Sequence, residues 1–315
     1  MTGECKLAVH GMDPKILLAR TFRERAAGVS HAYARAVLGE EEAVHALRVA
    51  VRRMRVVLGL LAAHPRGKQA RRADERLRAL AAAAGSSRDL DVGRPHLARL
   101  RRAARPRDPA WASLLSSYRG ARRREREHDA EALLDCELAR LRRALRQMEL
   151  AEPGEVRLRL DVHVRTKGAR LVRDVGALTP GTDQESVHRI RRGIRRLRYA
   201  AELAAKLPDG PGSVHRGWRL AQNALGEIQD RRALAAWLDG WAREKLPRRR
   251  PASRAAARRA AATLRAEADA LQAELAGGSV AAGVAEAIEA MSPQREVGGG
   301  VPFPKVHPAI TLISG

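Results

Sequence analysis

Along this 315-residue chain the apolar positions return every three to four residues. That period places them on one side of an α-helix, so the chain reads as all-α. The pattern predicts helices over 14–37, 42–63, 68–84, 87–104, 109–129 and 131–149. After Glu152-Pro153-Gly154 it predicts 156–177, 185–206, 214–227, 230–244 and 253–276. Pro65, Pro180, Pro208, Pro211 and Pro247 mark breaks, since proline has no backbone donor. Beyond Gly277-Gly278 the pattern weakens to a short helix near 280–290 and a flexible tail to residue 315.

Within two of these helices one basic cassette recurs. Val44-His45-Ala46-Leu47-Arg48 leads into Arg52-Arg53-Met54-Arg55, and Val187-His188-Arg189-Ile190-Arg191 leads into Arg195-Arg196-Leu197-Arg198, with the same internal spacing. A helix turns about 100° per residue, so His45, Arg48, Arg52 and Arg55 share a stripe, as do His188, Arg191, Arg195 and Arg198. Beside them run apolar stripes, Val44, Leu47, Val51, Met54 and Leu58 in one copy and Val187, Ile190, Ile194 and Leu197 in the other. Arg53 and Arg196 point elsewhere on the wheel. Such arginines can simply snorkel to water. Solvated faces usually mix signs at i, i+4, however, and neither stripe contains a carboxylate. Two unpaired stripes in matching register read as a face for an anionic ligand.

The duplication continues past the cassettes. Ala84-Gly85-Ser86-Ser87-Arg88-Asp89 matches Leu225-Gly226-Glu227-Ile228-Gln229-Asp230. Each glycine reads as a helix C-cap, and Asp89 and Asp230 as N-caps of the next helix or partners of a nearby arginine.

Charge strengthens the ligand reading. The formal net charge is +24, and the 60 basic residues comprise 53 arginines and seven lysines. Arginine grips phosphate oxygens with a planar fork, although base composition alone can also trade lysine for arginine. Aromatic residues make up only 3% of the chain, too few for the base-stacking platforms of single-stranded nucleic-acid binders. A polyanion without bases fits better. Cys5 and Cys136 imply neither a disulfide framework nor a metal site, and no stretch approaches a membrane span, so a cytoplasmic setting is expected.

These residues resemble the CHAD domain, the conserved histidine α-helical domain, over roughly residues 10–277, with the second cassette and Gln222 to Asp230 the closer match. The resemblance implies two pseudo-symmetric helical-bundle halves of about four helices each, near 10–150 and 155–277, around a basic central channel. It implies binding of inorganic polyphosphate and localisation to polyphosphate granules. The family's histidines map onto His45 and His188, and its channel arginines onto Arg48, Arg52, Arg55, Arg191, Arg195 and Arg198. Arg20, Arg23, Lys167 and Arg170, on the first helix of each half, are weaker candidates, together with Arg53 and Arg196. The departures are Ala84 where leucine is usual and Ser86-Ser87 in place of bulkier residues. No ExExK signature of the triphosphate-processing partner domain occurs.

Binding rather than turnover is therefore expected, with no cofactor and no metal. Gly67-Lys68 lacks the spacing of a P-loop, His128-Asp129 lacks a supporting His/Asp set, and the remaining histidines form no HxxxH pair. The imidazoles of His45 and His188 read as groups that protonate when phosphate binds. Three alternatives stand beside polyphosphate. One is a nucleic-acid backbone on the same face. Another is an enzyme acting on polyphosphate or a nucleoside triphosphate. The last is an anionic membrane met by Arg122-Arg123-Arg124 or Arg248-Arg249-Arg250, clusters that read more simply as solvated faces.

Overall fold

Proline and aspartate set where the helices begin. In the computed structural model Asp13 and Asp108 each accept a hydrogen bond from the backbone two residues on, at 2.7 and 2.9 Å, with Pro14 and Pro109 as the first helical residues. Asp183 caps its helix through Ser186 N at 2.9 Å, satisfying an amide the helix leaves open. Pro153 and Pro251 likewise open helices.

The structure describes residues 13–291, apart from 41, 86, 105–107, 208–209, 212 and 245–249. The expected tail and Arg248-Arg249 lie outside the described residues. Within them the fold is all-α, as read from the sequence. Eleven helices follow one another: α1 Pro14–Val37, α2 Ala43–Leu61, α3 Lys68–Ala83, α4 Ser87–Ala103, α5 Pro109–Leu134 and α6 Leu138–Arg146 come first. Then come α7 Pro153–Gly176, α8 Gln184–Ala204, α9 Arg216–Arg243, α10 Pro251–Ala276 and α11 Ser279–Glu289.

Both predicted apolar stripes are core. Val44, Leu47, Val51, Met54 and Leu58 on α2 are buried, as are Val187, Ile190, Ile194 and Leu197 on α8. Each such side chain contributes about 1.5–3 kcal/mol by leaving water, which fixes the rotation of both helices and with it the direction of the arginines. Three hydrophobic cores result. The first joins α1, α2 and α3 to α6, the start of α7 and the end of α8. The second joins α7, α8, α9 and α11 around Trp218. The third joins α4 and α5 to the end of α9 and to α10, so early and late parts of the chain interlock.

Two boundaries differ from the sequence reading. Residues 214–227 and 230–244, expected as two helices, form the single helix α9. Gly226 is buried within it, and only Gly39 and Gly278 have positive φ among the described residues. Leu225 and Ile228 are buried in the second core and Leu234 and Leu238 in the third, so packing on both sides of the glycine outweighs its helix cost of about 1 kcal/mol. Asp230 therefore lies inside a helix and is no N-cap. Asp89 is the third residue of α4, not a residue preceding it. The backbone amide of Ser87 is met instead by Asp129 Oδ2 of α5 at 3.1 Å. The stretch 131–149 also divides differently, with α5 running to Leu134 and α6 confined to 138–146.

The end of α2 is held from across the molecule. Arg159 of α7 donates to the carbonyls of Leu60, Ala62 and Ala63 at 3.3, 2.5 and 2.9 Å. Leu60 O is one of the acceptors a helix terminus leaves without a partner, and the other two lie just past it. Ala63 N donates to Glu149 O and Ala151 N to Leu61 O, both at 2.8 Å. The α2–α3 turn is thereby tied to the segment that begins the second repeat.

Candidate functional site

With their apolar stripes buried, α2 and α8 turn their arginines into a shared cavity of about 910 Å3. Ten arginines and two histidines line it, against the single carboxylate of Asp74. The basic walls come from both repeats, and α3 closes one side.

Of the residues singled out from sequence, Arg48, Arg52, Arg55, His188, Arg191 and Arg195 line this cavity, and so does Arg196. His45 is exposed on α2 and lies outside the lining. Arg198 also lies outside it, facing Glu202 at 3.3 Å with its guanidinium carbon 5.4 Å from the Tyr199 ring. Arg53 joins the same group, donating to Glu202 Oε1 at 3.0 Å and standing 5.5 Å from Tyr199. None of Arg20, Arg23, Lys167 and Arg170 lines the cavity. Arg20 pairs with Glu24 at 2.9 Å and Arg170 lies 3.8 Å from Asp174.

The two cassettes are thus alike in sequence and unlike in use. Arg48 and Arg191, and likewise Arg52 and Arg195, hold equivalent cavity positions. Beyond them the roles exchange. Arg55 lines the cavity while its counterpart Arg198 braces Glu202; Arg53 braces Glu202 while its counterpart Arg196 lines the cavity. The absence of carboxylates from the stripes does not leave every arginine unpaired, because other elements supply them. Arg55 Nε donates to Asp74 Oδ1 at 2.6 Å, and Arg78 reaches Asp74 Oδ2 at 2.6 Å.

Positioning is specific at several places. Arg48 Nη1 donates to the carbonyls of Ala84 and Ala81 at 2.9 and 3.3 Å, which satisfies the end of α3 and pins the guanidinium. His188 Nδ1 lies 2.9 Å from Gln229 Oε1. Since that oxygen only accepts, Nδ1 carries the hydrogen and Nε2 is left as the ring's acceptor. The glycines expected as caps stand beside these arginines. A Cβ on Gly85 would sit 3.4 Å from Arg48 Nη1, and one on Gly226 would sit 3.7 Å from Arg191 Nη2.

The electrostatics are those of crowded cations. Burial, and then Arg52, Arg191 and Arg48, push Arg195 down to about 9. The charged form of Arg195 is disfavoured here, and an anion in the cavity would relieve it. Arg196 is lowered by burial and by Arg55, Arg192 and Arg78. His163 of α7, not singled out from the sequence, also lines the cavity. Its Nε2 is buried without a hydrogen-bond partner, and burial followed by Lys167 and Arg196 lowers its pKa.

The sequence reading also missed Arg66, Arg71, Asp74 and Arg78, which supply the α3 wall. The signal was available in Arg71, Asp74 and Arg78 at i, i+3 and i+7 on one helix face. His128-Asp129 has a structural explanation: Asp129 is 1% exposed and meets the start of α4, while His128 points to solvent. Among the described residues no group of three or more His, Cys, Asp or Glu side chains is placed to hold a metal ion. No described helix is long and apolar enough to cross a membrane.

Comparison with known proteins places this geometry. A family model described as the CHAD domain matches residues 21–239. Among solved structures, PptA from Streptomyces chartreusis is similar with a TM-score of 0.66 and 22% identity, over 85% of this chain and 100% of that one. The CHAD domain from the plant Ricinus communis gives a TM-score of 0.62 and 18% identity, over 87% of this chain and 92% of that one. At such identities the structural likeness speaks for the fold. No curated protein matches the chain.

Proposed function

The chain belongs to the CHAD domain family, known in polyphosphate-related proteins, and on that premise we propose that it binds inorganic polyphosphate in the arginine-lined cavity between α2 and α8. The observation that carries this reading is the convergence of ten arginines from α2, α3, α8 and the turn before α3 on one cavity with a single carboxylate. Polyphosphate presents a charge at every unit, so each arginine can form charge-assisted hydrogen bonds with it. Counterions released on binding then supply much of the affinity and make it steeply salt-dependent.

The lining favours phosphate alone over a nucleic acid. Tyr199 is the one aromatic residue in the lining, and its ring already serves Arg53 and Arg198. It offers no free platform for a base. The lone carboxylate, Asp74, is held by Arg55 and Arg78, a poor arrangement for a general base. That arrangement supports binding without turnover, and tethering to polyphosphate granules in the cytoplasm is part of the same proposal.

The test is direct binding of long-chain polyphosphate to the full chain and to an Arg48/Arg52/Arg191/Arg195→Ala variant, with Arg123/Arg124→Ala on the exposed face of α5 as the control. The proposal expects the cavity variant to lose binding and the control to retain it. Equal binding by the two variants would contradict it.

A further inference from the structure

The outer side of α3 is as basic as the side that faces the cavity. Arg71, Asp74 and Arg78 line the cavity, while Lys68, Arg72 and Arg76 line hollows on the opposite, outward side. Those two sets are separated by about 100–140° around one helix. Lys68 through Arg76 meet Arg140 and Arg143 of α6 in a hollow of about 450 Å3. Gln69 Nε2 donates to Gln147 O at 3.0 Å and to Ala144 O at 3.4 Å, which sets the two helices side by side.

This hollow is one of a connected series. Arg72, Arg76 and Arg140 also line a neighbouring hollow of about 550 Å3. In the other direction Arg143 and Gln147 continue into one of about 390 Å3 with Arg142 and Arg146. Those last two arginines then reach a hollow beside Arg23 of α1, one of the residues that the cavity did not account for. The carboxylates of the series stand at one end, where Glu137 meets Arg76 at 3.3 Å and also holds Arg140. Lys68, Arg72, Arg142, Arg143 and Arg146 form no ion pair among the described residues.

We propose that this groove is a second anion track, occupied by the part of a polyphosphate chain that extends beyond the cavity. The proposal rests on the cavity reading and adds to it a surface for chain length. Proximity supports it: Arg66, in the turn before α3, lines the cavity, and Lys68, the first residue of α3, lines the track. The chemistry supports it as well. Phe22 and Leu145 line only the hollow at the Arg23 end; the three hollows along α3 and α6 are lined by no aromatic residue and, among apolar ones, only by alanines. That lining gives a base nothing to stack on and a membrane no apolar anchor, whereas a bare phosphate chain needs neither.

Tripolyphosphate, long-chain polyphosphate and duplex DNA, each bound to the full chain and to an Arg72/Arg142/Arg143/Arg146→Gln variant over a series of salt concentrations, test the track. Tripolyphosphate is short enough to be held by the cavity alone. The expected result is unchanged tripolyphosphate affinity, a long-chain affinity at least about tenfold weaker, and a salt slope shallower by about 3, as four lost contacts require. An unchanged long-chain affinity and slope would overturn the track, as would an equal loss for both chain lengths. A loss confined to duplex DNA would overturn it in favour of nucleic acid. Failure of the cavity reading looks different: the unmodified chain would then bind neither phosphate ligand, or the Arg48/Arg52/Arg191/Arg195→Ala variant would bind tripolyphosphate normally.

Discussion

Arg191 lies against Gly226, with Nη2 3.7 Å from the place a Cβ would occupy. In the first repeat Arg48 has the same relation to Gly85, at 3.4 Å from Nη1. Matched glycines therefore stand beside matched guanidiniums, although one sits between helices and the other within one.

That relation separates stability from binding. A methyl group at 226 meets only ordinary contact distance, and alanine is the better helix former by about 1 kcal/mol. Gly226→Ala is expected to raise the melting temperature slightly and leave polyphosphate binding intact. Gly226→Leu is expected to displace Arg191 and weaken binding severalfold while the protein stays folded. Thermal melts with binding titrations on both variants check this.

Asp74 restrains the cavity's charge. It holds Arg55 and Arg78, each at 2.6 Å, so Asp74→Asn releases two guanidiniums. Polyphosphate should bind the variant more tightly, with a salt slope steeper by about one to two units. The accompanying stability loss should be about 1 kcal/mol, because these groups are partly solvated. Binding measured across a salt series reads both effects.

Protonation should couple to binding through His163. Burial, Lys167 and Arg196 hold its pKa below the ordinary imidazole value, so it is neutral at pH 7 in the free protein. In the unfolded chain it would protonate near 6.5. The free protein should accordingly lose stability from this group as pH falls below about 6.5, down to the lowered folded value. A bound polyanion favours the charged form and raises the pKa. Affinity should then increase as the pH falls toward the lowered value of the free protein, beyond any change in the ligand's own charge, and His163→Gln should flatten that increase. An identical pH profile in the variant would remove His163 from this role.

Glu202 joins the repeats. It accepts from Arg53 of α2 at 3.0 Å and from Arg198 of α8 at 3.3 Å, and Arg25 of α1 lies 3.4 Å away. Removing a carboxylate shared by three partly buried cations should cost roughly 3 kcal/mol. Glu202→Ala is expected to lower the melting temperature by several degrees. The conservative Glu202→Gln should lose less.

The legible parts of this molecule are those that one helix decides alone. The stripes of α2 and α8 were readable because burying Leu47, Met54, Ile190 and Leu197 leaves one direction for Arg48, Arg52, Arg191 and Arg195. Parts decided between helices were not. The exchange of roles between Arg55 and Arg198, and between Arg53 and Arg196, depends on Asp74 standing opposite one position and Glu202 opposite another. Gly226 carried a chain-break signal that the packing of α9 overrode. His163 belonged to no repeated motif, and its place in the cavity follows from how α7 packs beside α8. His45 matched His188 in spacing, yet only His188 reaches the cavity.

The central claim is selectivity for polyphosphate in the α2–α8 cavity, and competition tests it most directly. Labelled long-chain polyphosphate bound to the full chain would be challenged with duplex DNA, single-stranded RNA and ATP at matched phosphate concentration and near-physiological salt. A dedicated site retains polyphosphate against all three competitors. Displacement by nucleic acid at equal phosphate would contradict the claim and assign the binding to the +24 charge of the chain as a whole.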